Sequence, residues 1–187
     1  MSKPDRKHVL LFLLVLLFIV GWTALILHLG PERLVSLVGV SNGYILMLLV
    51  SLFGGVSSIG GAIYVTTIIT LAAAGLNPAL LALASGLGVS VGDSVYYYLG
   101  WRGSHILPIG GAITRRIHQF SEWLRGQAKL VRAGAIYGYT AFTPLPNDIL
   151  TILMGVTRQP YALVLPAFVL GNITHTFLLA TFGQWLL

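Results

Sequence analysis

Three short stretches set polar and ionisable side chains inside apolar sequence, where they could do chemistry. The first is "GVSVGDSVYYYLGW", residues 88–101. Asp93 lies centrally in a segment of spanning length, where an isolated charge costs at least about 2.5–3.5 kcal/mol on insertion scales. Such a carboxylate must face protein or water. It can take up a proton or contact a polar substrate in a translocation site, or it can pin two helices together through hydrogen bonds. Helical spacing puts Gly86, Ser90, Asp93, Tyr97 and Gly100 on one stripe, so hydroxyls flank the carboxylate one turn away on each side. Gly88 and Gly92 lie four apart, a spacing that permits close helix contact.

The second stretch is "FTPLPND", residues 142–148. Pro144 and Pro146 remove two amide donors and push the residues before them toward extended conformations, so a helix breaks there. Asn147 and Asp148 are then placed to cap a following half-helix, Ile149 to Met154, whose positive N-terminal end would lie at membrane depth. The same free N–H groups could instead face an anionic headgroup, and Asp148 could alternate between capping and proton uptake. The third stretch carries Asn172 and His175, three apart and so on one helix face, with His175 either a buried neutral group or a proton relay. Arg158 follows the half-helix, where a cation complements the C-terminal end and could hold a phosphate. Arg102 is a second candidate for headgroup contact.

Other chemistries find no support. The histidines at 8, 28, 105 and 118 show no ligand spacing, so no metal site is expected. "GLGVSVGD" has the wrong spacing for a dinucleotide loop, the "NIT" sequon at 172–174 lies in a span, and no nucleophile elbow or catalytic carboxylate pair occurs. An enzyme is therefore not expected, nor any cofactor.

The elements that must position these residues are membrane elements. Of 187 residues, 56% are hydrophobic and 9% charged, with a mean hydropathy of +0.87, against roughly 25% charged in soluble domains. Lys3, Arg6 and Lys7 precede the first apolar run, and Arg102, Arg115, Arg116, Arg125, Lys129 and Arg132 share one middle segment. These read as cytoplasmic flanks facing anionic lipid, and no nucleic-acid motif accompanies them. The chain has no cysteine, which excludes disulfides and thiolate metal sites.

One membrane domain over 1–187 is expected, an all-α bundle. Residues 9–29 are long enough to span and too long for a signal-peptide core. Residues 43–101 read as a first repeat. In it "FGGVSSIGGAIYVTT" splits an apolar region into two short halves, a re-entrant hairpin with Ser57, Ser58, Gly60 and Gly61 at its tip, and Pro78 then opens a span. Residues 102–132 form a basic linker whose Ile113, Ile117, Phe120, Leu124, Ala128 and Val131 make one apolar stripe, an interfacial amphipathic helix with Trp123 as anchor. Residues 133–187 repeat the pattern of hairpin, with Pro144 and Pro146 at its tip, followed by span. Two interrupted segments in corresponding positions point to an inverted repeat with a site between them. With the N-terminus cytoplasmic, the basic linker lands inside, as the positive-inside rule requires, whether the hairpins are re-entrant or full crossings.

Taken together, "GVSVGDSVYYYLGWRG" and "FTPLPNDILTILMGVTRQPYALVLPAFVLGNITHTFLLATFG" resemble the DedA family, the SNARE-associated or VTT-domain superfamily. The likeness covers about residues 43–187 and lies in the ordered combination. It implies two re-entrant loops facing each other and transport or scrambling of lipids, including polyprenyl-phosphate carriers. The chain departs from many bacterial members where "SSIGGAIY" lacks their acidic residue and where Ala141 and Asn147 replace two arginines. Its Pro-Asn pair is more similar to the eukaryotic scramblase branch.

The expectation is a lipid translocase or scramblase moving phospholipid or polyprenyl-phosphate headgroups past Asp93, Asn147, Asp148, Ser90, Tyr97, Asn172 and His175. It would sit in a bacterial or archaeal plasma membrane, with proton coupling and homo-oligomerisation left open. A non-transporting scaffold and a small-ion or solute transporter are the alternatives.

Overall fold

The computed structural model describes residues 13, 17, 42–54, 60–106, 112–143 and 146–185. The expected N-terminal span, Ser57, Ser58 and Pro144 lie outside them, Leu13 and Leu17 of that span excepted. Among the described residues every regular element is a helix: α1 Gly43–Gly54, α2 Gly60–Ala73, α3 Pro78–Ile106, α4 Ala112–Gly126, α5 Lys129–Phe142, α6 Asn147–Val156 and α7 Tyr161–Trp185.

Local chemistry sets the helix ends. Asn77 Oδ1 accepts the amides of Ala79 and Leu80 at 2.9 and 3.3 Å, an N-cap with Pro78 in the first helical position, where a missing N–H costs nothing. α2 ends at Gly75, with φ 90, while Gly75 N–H bonds Ala72 O and Leu76 N–H bonds Leu71 O. α6 ends the same way at Arg158, with φ 51, while Arg158 N–H bonds Gly155 O and Gln159 N–H bonds Met154 O. Both are Schellman closures, which need a left-handed residue just past the helix.

Among the described residues two helices are long and apolar enough to cross a membrane, residues 78–103 of α3 and all of α7, with mean hydropathies of 1.4 and 1.7. At 1.5 Å per residue α7 is about 38 Å long, while α6 is about 15 Å and α5 about 21 Å. α3 and α7 pack antiparallel along the centre. α1 lies against α3 and α5 against α7, whereas α2 lies against α7 and α6 against α3. Each half-helix after a break thus packs on the long helix of the other half of the chain.

Glycines make these approaches possible. A Cβ on Gly88 would lie 2.1 Å from Ser51 Oγ of α1, and one on Gly171 2.6 Å from Thr140 Cβ of α5. A Cβ on Gly100 would lie 2.2 Å from Ile152 O of α6, and one on Gly183 3.1 Å from Ile69 Cα of α2. Gly100 and Gly183 are 83 positions apart, as are Ile69 and Ile152, and as are Gly75 and Arg158, by their numbers.

The amphipathic linker helix forms as expected over α4, with Leu124 buried and Trp123 exposed. Its stripe does not continue as one helix. The chain breaks at Gln127 and Ala128, so Val131 of that stripe belongs to α5 and is exposed, and Lys129 and Arg132 open α5 instead of ending the linker.

All described Lys and Arg side chains with located contacts lie at one end of α3 and α7. There Arg125 reaches Thr157 O, Arg132 reaches Gln159, and Arg102 stands beside Trp101. Among the described residues the opposite end is neutral, with Gln184 Nε2–H donating to Leu76 O and Asn77 N–H donating to Tyr44 OH. Met47, Ile68, Leu71 and Leu81 form an apolar core toward the neutral end, and Leu124, Ile136, Met154 and Phe168 one toward the basic end. Between them, mid-way along both long helices, the packing turns polar.

Candidate functional site

Asp93 is 2% exposed and stands mid-way along α3. Opposite it, Asn172 of α7 donates Nδ2–H to Asp93 Oδ2 at 2.7 Å and to Ser90 Oγ at 3.2 Å. The two amide protons therefore serve the carboxylate and the hydroxyl, leaving Asn172 Oδ1 as acceptor. Asn147 Nδ2, from the first residue of α6, fills it at 3.0 Å. Flipping Asn172 would set oxygen against carboxylate and nitrogen against nitrogen, so the network fixes its orientation.

Thr151, one turn into α6, brings Oγ1 to 3.4 Å from Asp93 Oδ1 and to 2.8 Å from Asn147 O. A hydroxyl has one proton, and the shorter contact takes it. Asp93 is thus held by neutral donors alone, and among the described residues no cation forms an ion pair with it. A buried carboxylate without a cation is costly unless it is protonated or exchanges partners.

A second polar cluster adjoins the first one turn along α7. Tyr64 of α2 shares a 2.6 Å hydrogen bond with Thr176, and Ser85 of α3 donates to Tyr64 OH at 2.9 Å. Thr176 in turn donates to the Asn172 carbonyl at 2.8 Å. α2 and α6 reach α7 one turn apart, α2 through Tyr64 on Thr176 and α6 through Asn147 on Asn172. On the neighbouring α5, Thr140 Oγ1 is buried without a partner among the described residues.

The structure gathers Asp93, Ser90, Asn147 and Asn172 from the expected residues and distributes the others. Tyr97 shares the stripe but reaches the basic end, donating to Gln159 O at 2.6 Å and tilting against Tyr161 with ring centroids 5.1 Å apart. His175 turns to α5, with Nδ1 3.3 Å from Ala141 O, so it does not share the Asn172 contacts that its three-residue spacing suggested. A helix face 100° wide borders more than one neighbour.

The capping expectation needs correction. The N-cap position of α6 is Pro146, no side chain caps it, and Asn147 and Asp148 are the first two helical residues. The Asn147 side chain is drawn to Asn172 instead. Asp148 is half-buried in the first turn, where a carboxylate suits the helix dipole. Gly60 and Gly61 open α2. Arg102 Nε donates to Tyr98 OH at 3.1 Å, with its guanidinium 4.6 Å from the Trp101 ring centroid, an interfacial stacking arrangement. Arg158 is exposed at the basic end in its left-handed turn.

Sequence reasoning missed Thr151, Tyr64, Ser85 and Thr176. Hydroxyls are common in apolar helices, where they bond to the carbonyl four residues back, as Thr151 and Thr176 also do here. Only the packing of α2 and α6 distinguishes these four. Compared with family models, with curated proteins and with solved structures, the chain matches none. Among the described residues no three His, Asp or Glu side chains come together as metal ligands.

Proposed function

We propose that the chain is a multi-pass membrane protein that moves lipid headgroups through its centre, a lipid translocase or scramblase of the DedA type. The observation that carries this reading is Asp93: a buried carboxylate with no cation paired to it among the described residues, mid-way along one membrane-length helix, contacted by Asn172 of the other and by Thr151 of α6, one turn of α7 from where Tyr64 of α2 reaches Thr176. A polar centre of this kind is costly in a membrane and marks substrate or proton pathways.

The packing supports the architecture that such transport needs. α5 starts and α6 ends at the basic end, while the α6 start touches Asn172 at mid-length. α1 starts and α2 ends at the neutral end, while Tyr64 near the α2 start touches Thr176. With α3 and α7 across about 30 Å of hydrocarbon, both pairs are re-entrant hairpins entering from opposite faces. The recurrence of glycine contacts and helix closures at 83 positions fits an inverted repeat, with the basic end cytoplasmic. Leu80, Leu83, Leu87, Val91, Phe177, Leu178 and Phe182 stay exposed on α3 and α7, as lipid-facing side chains would.

In this reading the polar strip from Ser85 to Asn147 receives the headgroup, and Asp93 exchanges its Asn172 contact for the substrate or a proton. Arg158 and Arg102 hold the headgroup phosphate at the cytoplasmic surface. Substrates are phospholipids or a polyprenyl phosphate. Liposomes carrying the folded protein with labelled phospholipid or labelled polyprenyl phosphate test the proposal; no acceleration of either lipid overturns it. The hydrogen bonds that clamp α3 to α7 favour one competing reading, a scaffold. A scaffold requires Asp93→Asn to lose stability in step with any loss of function, whereas a transport site requires lost flux in a protein that melts as before.

A further inference from the structure

The polar groups do not stop at Asp93. On the same side of α3, Ser90, Ser94 and Tyr97 follow one another at spacings of four and three, leading toward the basic end. Ser94 Oγ accepts the Tyr161 hydroxyl at 2.7 Å, and Tyr97 donates to Gln159 O at 2.6 Å. The track therefore ends on the turn between α6 and α7, residues 157–159.

Two more helices grip that turn. Ser121 Oγ and Arg125 Nη2 of α4 donate to Thr157 O at 3.3 and 3.4 Å, and Arg132 Nη1 of α5 donates to Gln159 Oε1 at 2.8 Å. Gln159 is 1% exposed and Arg132 9%. Yet Arg132 Nε and Gln159 Nε2 are enclosed without a partner among the described residues, and no carboxylate there is paired with the guanidinium. An enclosed donor without a partner costs more than an average hydrogen bond returns, and an unpaired buried charge costs more still. Both costs vanish once the turn moves off α5 and water reaches the two side chains. A turn held from three sides and carrying two unmet donors is suited to two positions.

We propose that this turn is the gate through which the Asp93 centre opens to the basic face. Closed, it is latched by Tyr97 and Arg132 on Gln159. Open, Gln159 leaves both, Arg132 is hydrated, and Ser94 and Ser90 face the incoming headgroup. α6 has only 10 residues and moves with the turn, so the same displacement takes Thr151 and Asn147 off Asp93 and Asn172. The gate deepens the transport reading and rests on it for its purpose.

Ser90→Cys in the otherwise cysteine-free chain, held in nanodiscs and treated with a hydrophilic thiol reagent, reads the opening directly. Ser94→Cys, nearer the gate, is read alongside and should follow the same order. Tyr97→Phe keeps the ring and loses the bond to Gln159, so labelling should speed up roughly two- to tenfold, the worth of one net hydrogen bond. Arg132→Met combined with Gln159→Leu replaces both enclosed partners by apolar side chains, which should slow labelling at least roughly fivefold and raise the melting midpoint. A lowered midpoint with faster labelling in that double variant would make the pair an ordinary structural contact and overturn the gate. Labelling rates indifferent to these variants would overturn it too. Lipid flux is measured separately: a protein that labels in the predicted order but moves no lipid keeps the gate and loses the transport reading, whereas one that moves lipid with indifferent labelling loses the gate alone.

Discussion

Asp93 receives its one short hydrogen bond from Asn172, and that single donor decides what the residue costs the fold. Removing it with Asn172→Ala leaves a buried carboxylate with only the long Thr151 contact, a loss of about 1.5–3 kcal/mol for a bond to a charged group. Thermal melting of the purified protein should show it as a lowered midpoint. Arg158 offers the opposite case. Its φ of 51 is a conformation that costs a non-glycine residue about 1–2 kcal/mol, and the matching closure of α2 uses Gly75. Arg158→Gly should therefore raise stability by about 1 kcal/mol and, if the guanidinium serves the headgroup, slow flux at the same time. A stabilised variant with wild-type flux would assign Arg158 no part in transport.

The glycines separate helix packing from helix propensity. A side chain at Gly155 would meet Tyr97 O at 2.1 Å, so Gly155→Ala must push α6 off α3 and should destabilise by about 1–3 kcal/mol. Gly138→Ala meets nothing within 4 Å and should stabilise α5 by about 0.5–1 kcal/mol through propensity alone. Parallel denaturation curves check both. The helices themselves were largely legible: apolar lengths, Pro78 as a helix opener and the break before α6 all follow from local chemistry. The break at Gln127 and Ala128 was not, because apolar spacings of three and four run through it and only the docking of Arg132 on Gln159 shows where α5 starts. Asp93, Asn147 and Asn172 stood out because amides and carboxylates are rare in apolar runs. The hydroxyls Thr151 and Thr176, which bond to them, and Ser85, which bonds Tyr64, did not, since nothing in the spacing tells a helix-bonded hydroxyl from one that also touches another helix.

At the scale of the whole molecule, charge, helix length and the half-depth helix pairs bear on one another. If the basic end is cytoplasmic, single cysteines in this cysteine-free chain give a direct readout of topology. Gln127→Cys should react with an impermeant thiol reagent only from the cytoplasmic side and Asn77→Cys only from the other. Labelling of both from one side would require that the hairpins, or α3 itself, be threaded differently. In the proposed reading the site lies at the level where both hairpins would end, with the two apolar cores on either side of it, and lipid headgroups are the proposed substrates. Flux of labelled phospholipid and labelled polyprenyl phosphate across liposomes holding wild-type protein or Asp93→Asn tests that claim most directly. The expected result is acceleration of at least one lipid by the wild type and its loss in Asp93→Asn with an unchanged melting midpoint. Equal flux from wild type, Asp93→Asn and protein-free liposomes would contradict it.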